Sequence, residues 1–132
     1  ETRYAIINLW RSIGETPVIT DALTLCDGRS VVPDDLVVFE IHYADRIGEN
    51  YFTIPSEEHR WLTYPAMKRN EALLIKQWDS AGTLAQSSGE HGDGSKNGPC
   101  TFSFHTAFTT PEPDTKAPRR ESIEVRCVVL YD

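Results

Sequence analysis

The sequence is poor in several things at once. Three cysteines, Cys26, Cys100 and Cys127, are too few to staple a small secreted domain and cannot all pair. None stands in the Cys-x-x-Cys spacing of zinc or redox sites, so buried free thiols in a reducing compartment are the expectation. Basic residues are also scarce: 13 Lys and Arg against 20 Asp and Glu leave a formal charge of −7. Nucleic acid and anionic membrane are bound by clustered cations, and this balance disfavours both as partners. No apolar run approaches the roughly 18 to 20 residues that a membrane helix needs. The opening Arg3-Tyr4-Ala5-Ile6-Ile7 reads as a strand and lacks the basic start and small-residue cleavage site of a signal peptide. Internal repeats, heptads, a phosphate-cradling glycine motif and a Gly-x-Ser-x-Gly elbow are missing as well. The reading is of a soluble, cytoplasmic protein.

What remains is enough for one domain. In 132 residues, 39% are apolar and 10% aromatic, which can build a core. Short β-type runs separated by turn residues recur along the chain. Residues 3–10 predict a buried strand with Asn8 and Trp10 on one side. Val18–Thr20, Leu23–Leu25, Leu36–Tyr43, Tyr51–Ile54 and Arg60–Tyr64 predict further strands, and their regular spacing implies a β-sandwich or barrel. Residues 67–79 are ambiguous: Asn70 can cap a helical turn, while Leu74–Asp79 fits a strand. From about residue 80 to 99 the hydrophobes vanish and a flexible polar loop is predicted. A chain that starts directly in a core strand leaves that strand's edge bare, so a longer polypeptide is expected to precede it.

Chemistry concentrates near the end of the chain. His105 is set in the apolar run Phe102–Phe108, and Arg120-Glu121-Ser122 opens a final strand. Period two puts Arg120, Ser122, Glu124 and Arg126 on one face of that strand and Ile123, Val125, Cys127 and Val129 on the other. Neutral imidazole is a good Fe(II) ligand. A guanidinium two residues from a hydroxyl can take both oxygens of a carboxylate and add a third bond. That combination suggests a metal and a small organic acid. The plainer reading is a satisfied core histidine and arginines paired with acids on a solvated face.

Six blocks tip the balance: Ile6–Arg11, Leu25–Val31, Trp61–Pro65, Glu71–Ser80, His105–Phe108 and Pro118–Arg126. In these, and in their order, the chain resembles the Fe(II)/2-oxoglutarate oxygenase-like proteins of fungal and bacterial secondary metabolism. That group includes a gibberellin desaturase, an aspergillic acid hydroxylase/desaturase and a cephamycin methoxylation protein. The resemblance implies an all-β double-stranded β-helix, jelly-roll or cupin-like, of which residues 1–132 would be the later part, without its N-terminal helices and strands. It implies an enzyme that hydroxylates, desaturates or cyclises a small metabolite with dioxygen, using Fe(II) and 2-oxoglutarate. His105 would be the distal metal histidine, Arg120 the partner of the cosubstrate's far carboxylate and Ser122 its hydroxyl helper.

Relatives carry a His-x-Asp pair before the Ile6–Arg11 strand, which implies that the preceding part of the same polypeptide supplies the other two ligands. His91-Gly92-Asp93 has the right letters but sits in the polar loop, where ligands would not be held rigidly. Glu40 and His42 share a strand face, yet they are read as covering a half-exposed sheet while Phe39, Ile41 and Tyr43 turn inward; His59 is read as surface. Candidate substrate contacts are Asn8, Trp10, Arg11 and Phe108, the last flanking His105 together with Phe104. A homodimer stays open. The rival function is a barrel that has lost its metal and serves as an accessory or binding subunit of a biosynthetic enzyme.

Overall fold

The computed structural model describes residues 2–82, 101–110, 114 and 116–132. Eight strands carry the fold: β1 (Tyr4–Ser12), β2 (Ala22–Cys26), β3 (Leu36–His42), β4 (Ile47–Thr53), β5 (Trp61–Thr63), β6 (Leu73–Asp79), β7 (His105–Phe108) and β8 (Ser122–Leu130). They form one three-stranded sheet in the order β6-β1-β8, a second in the order β5-β2-β7, and the hairpin β3-β4. Every pairing is antiparallel. Among the described residues no helix is long and apolar enough to cross a membrane.

The two three-stranded sheets face each other across the core. Trp10 from β1, Leu23 from β2 and Ile75 from β6 pack with Val18 and Met67, and Ala22, Leu25 and Leu73 lie against them. Alternation then decides what else points inward. Asn8, Trp10 and Ser12 of β1 stand opposite Arg126, Glu124 and Ser122 of β8, so these six side chains share the inner face. On the other sheet Leu25 stands opposite His105 and Leu23 opposite Ala107, which aims His105 into the same inter-sheet space. β1 and β6 shift register where Ile6 pairs with Trp78 but Ile7 pairs with Lys76. Gln77 is the extra residue of this bulge.

Several expectations are corrected. Val18–Thr20 forms no strand: Val18 is buried, but only its N–H reaches across, donating to the carbonyl of Met67 at 2.9 Å. Asn70 caps no helix. Residues 68–71 close a turn in which Glu71 donates to Lys68 and the Lys68 N–H returns to Glu71 Oε2 at 2.7 Å. His59 is not at the surface: its side chain is 1% exposed and Nε2 meets Asp35 Oδ2 at 2.8 Å. A charged turn in sequence was pinned inward by a carboxylate 24 residues away. Of the thiols, Cys26 is buried as expected and Cys127 is exposed on the outer face of β8. Cys100, the pair His91 and Asp93, and residues 83–99 of the polar loop lie outside the described residues.

Candidate metal and carboxylate site

His105 opens β7, and its ring is oriented by the chain just before it. Nδ1 lies 2.9 Å from the carbonyl oxygen of Ser103. A carbonyl only accepts, so the Nδ1 proton is fixed there and, in the neutral ring, Nε2 keeps its lone pair. That is the tautomer a metal ligand needs, and a backbone carbonyl is a common partner for the far nitrogen of such a ligand. The residues present therefore fit one corner of an iron coordination sphere. Among the described residues no three His, Cys, Asp or Glu side chains cluster to hold a metal.

His105 lines a cavity of about 610 Å³ with Ile6, Gln77, Trp78, Tyr51, Phe102, Phe104 and Arg126. Its walls mix aromatic rings with polar side chains, Glu49 and Asn50 among them. Phe102 stacks on Tyr51 with centroids 4.9 Å apart and meets Phe104 edge-on at 5.2 Å. Aromatic pairs at such separations are stable and bulky, which suits a pocket that must keep its shape around an apolar ligand.

Arg120 lies just before β8, which begins at Ser122 and not at residue 120, and neither Arg120 nor Ser122 lines that cavity. Arg120 Nη1 donates to the carbonyl of Asp21, and its guanidinium lies 5.6 Å from the centroid of the Trp10 ring. Asp21 has φ 49°, a left-handed conformation that aspartate tolerates. Its carboxylate Oδ1 accepts from the Thr109 hydroxyl at 3.1 Å. Ser122 sits directly opposite Ser12.

The substrate candidates separate. Trp10, 4% exposed, belongs to the core and serves as the surface under Arg120. Asn8, 1% exposed, spends both ends of its amide on β8, donating to Glu124 and accepting from Arg126 Nε at 3.1 Å. Arg11 lies apart from the His105 cavity: it alternates onto the outer face, where Nη2 donates to the Arg69 carbonyl at 2.7 Å. Phe108 lies apart as well. Period two puts it with Thr106 on the face away from His105, and it is half exposed. Phe104 does line the cavity.

Two further residues line the His105 cavity: Arg126, which the sequence places on the site-bearing face of the last strand without a role, and Gln77, whose bulge position only the strand pairing shows. A signal existed for Arg126, because period two already put it on the inner face of β8.

A family profile described as "Oxidoreductase/YMDC permease-like domain" matches residues 1–130. The chain is 31% identical over 132 residues to an Fe(II)/2-oxoglutarate-dependent dioxygenase, nvfI, of Aspergillus novofumigatus, covering 98% of this chain and 42% of that protein. It is 30% identical over 142 residues to the hydroxylase/desaturase CTB9 of Cercospora beticola, covering all of this chain and 38% of that protein. A solved structure titled as the iron and alpha-ketoglutarate-dependent endoperoxidase NvfI superposes with a TM-score of 0.79 at 28% identity, over 98% of this chain and 42% of its own. The all-β double-stranded β-helix expected from the resemblance is therefore the fold. The chain spans about two fifths of the length of these relatives.

Proposed function

From the premise that the chain belongs to the oxidoreductase/YMDC permease-like domain family, we propose that it is the later portion of a non-haem Fe(II)/2-oxoglutarate-dependent oxygenase. Its substrate is a small metabolite of secondary metabolism, which it hydroxylates, desaturates or cyclises with dioxygen. The observation that carries this reading is His105: an imidazole whose Nδ1 is tied to a carbonyl and whose ring stands at the wall of a partly aromatic cavity. Bound Fe(II) and 2-oxoglutarate supply the oxidising power to attack a carbon–hydrogen bond. The chain's own residues ligate, orient and keep the pocket dry.

In this reading His105 is one of the metal ligands. Arg120 takes the far carboxylate of 2-oxoglutarate, held ready by the Asp21 carbonyl and the Trp10 ring. Ser122, the first residue of β8, adds a hydroxyl. The other two ligands come from a preceding segment of the same polypeptide. Two observations support that: the relatives extend well beyond the matched length, and among the described residues both sheets end on the strands that bear the site, β7 and β8. A reducing cytoplasm suits the free thiol of Cys26.

The test is iron-dependent conversion of 2-oxoglutarate to succinate by the full-length polypeptide. His105→Ala is expected to abolish it, and Arg120→Ala to raise the 2-oxoglutarate KM roughly ten- to a hundredfold, the loss of one charge-assisted carboxylate contact. A folded full-length protein that binds no iron at His105 would overturn the enzyme. The barrel would then be an accessory subunit.

A further inference from the structure

We infer that Arg126, held in position by Asn8, receives a carboxylate beside His105. The inference rests on the oxygenase reading of the His105 cavity and adds to it a second cationic contact, distinct from Arg120. Arg126 and His105 line the same cavity. Its guanidinium is tethered at one nitrogen only: Nε donates to Asn8 Oδ1 at 3.1 Å. Among the described residues Nη1 and Nη2 make no hydrogen bond and Arg126 forms no ion pair. Such a fork, fixed at its stem and unpaired at its tips, matches the two oxygens of a carboxylate.

Asn8 is what fixes it. The amide is buried, and its Nδ2 is committed to the carboxylate of Glu124. With the donor end taken, the acceptor end has one orientation left, toward Arg126. Glu124 is thereby bonded to Asn8, and among the described residues Glu49 is the one acid lining the cavity, where it accepts from the Tyr51 hydroxyl at 3.1 Å. Both keep their charge, but among the described residues neither forms an ion pair with Arg126, whose Nη1 and Nη2 stay open to a ligand. A second donor waits in the same place: Gln77 Nε2 is buried, lines the cavity and finds no acceptor among the described residues. An orphaned donor in such a wall is costly unless a ligand supplies its acceptor. Gln77 is also the bulge residue of β6, and bulges commonly re-aim side chains beside active sites.

The carboxylate belongs either to 2-oxoglutarate, at its end nearer the metal, or to the substrate. Anaerobic calorimetric titration of the Fe(II)-loaded full-length polypeptide separates the two, with N-oxalylglycine standing in for the cosubstrate and 3-phenylpropanoate for an aromatic acid substrate. Arg126→Gln is expected to weaken one of them at least tenfold, and Arg126→Lys less. Loss of N-oxalylglycine affinity assigns the contact to the cosubstrate. Loss confined to 3-phenylpropanoate assigns it to the substrate. Asn8→Ala is expected to weaken the affected probe about fivefold in the wild type and not at all in Arg126→Gln, a dependence that mere destabilisation would not produce. If Arg126→Gln alters neither titration, or Asn8→Ala costs the same in both backgrounds, the inference is overturned while the oxygenase reading stands. A wild-type protein that takes up Fe(II) but does not bind N-oxalylglycine overturns both.

Discussion

At Asp79 a carboxylate with no exposed side-chain surface gathers four donors. Arg3 contributes Nε at 3.0 Å and Nη2 at 2.7 Å, Lys76 contributes Nζ at 3.1 Å, and the Ala81 N–H closes the shell at 3.1 Å. The Arg3 contact, ahead of the others, holds the Asp79 pKa well below the ordinary carboxylate range, against the opposing effect of burial. A depressed folded-state value has a definite sign in linkage. The stability it contributes is complete above the unfolded-state pKa of about 3.9 and is lost as pH falls toward the folded value. Asp79→Asn is therefore expected to lower stability at pH 7 by about 2 kcal/mol, and its urea midpoint should fall less than the wild type's between pH 5 and pH 3. Gly82, a few residues on, makes a second point at this scale. A Cβ there would lie 2.4 Å from Thr101 Cα, and backbone cannot swing aside as a side-chain tip can. Gly82→Ala should cost about 1–3 kcal/mol in the same titration. Neither contact was legible in the sequence, since Arg3 and Asp79 are separated by 76 positions and nothing local marks the pair.

At the scale of elements, strands were readable and their faces were not always. β1, β2, β3, β5 and β8 fall on runs expected to be strands, and β6 on the half of the ambiguous stretch 67–79 that fitted one. Alternation also put Ser122, Glu124 and Arg126 on one face of β8, as the register shows. The hairpin β3-β4 meets its expectation only in part: the Glu40 and His42 side chains, 54% and 66% exposed, do cover a half-exposed face, but Phe39 and Tyr43 do not turn inward. Val38 pairs with Tyr51, so Glu40 and His42 share the face of Tyr51, and it is Tyr51 that packs on Phe102 and Trp78. Phe39 and Phe52, edge-to-face at 5.7 Å, are half exposed on the other side. Alternation identifies two faces but cannot say which one meets the rest of the molecule when both carry aromatic rings. Tyr51→Ala removes the ring contacts, each worth about 0.5–1.5 kcal/mol beyond its buried area. The expected result is faster amide exchange throughout β3 and β4 with unchanged protection in β1, which is paired on both sides. Uniform loss of protection in all strands would contradict that independence.

For the whole molecule, the site was half legible, and for a physical reason. His105 and Arg120-x-Ser122 are local patterns in single stretches of chain. The pairing of Asn8 with Arg126 spans 118 positions and exists only because β8 returns to lie beside β1. The same topology leaves the site-bearing strands at the ends of their sheets: among the described residues β8 pairs only with β1 and β7 only with β2. β8 is nine residues long, and Ile123, Val125, Val128 and Leu130 are all exposed on it. A long, apolar, unpaired edge is a template for another strand, and natural sheets usually blunt such edges with charge or proline. β8 carries Glu124 and Arg126 on its inner face, where Asn8 holds both toward β1 and away from the open edge. The 132-residue chain produced alone is therefore expected to associate with itself in a concentration-dependent way, seen as a rising mass in light scattering across a dilution series. Val125→Lys with Val128→Lys should return it to monomer. The full-length polypeptide, where a preceding segment is proposed to lie along β7 and β8, should stay monomeric with or without the two lysines. A lone chain that remains monomeric at high concentration would show that these edges are already covered, and the proposed upstream strands would have to pair elsewhere.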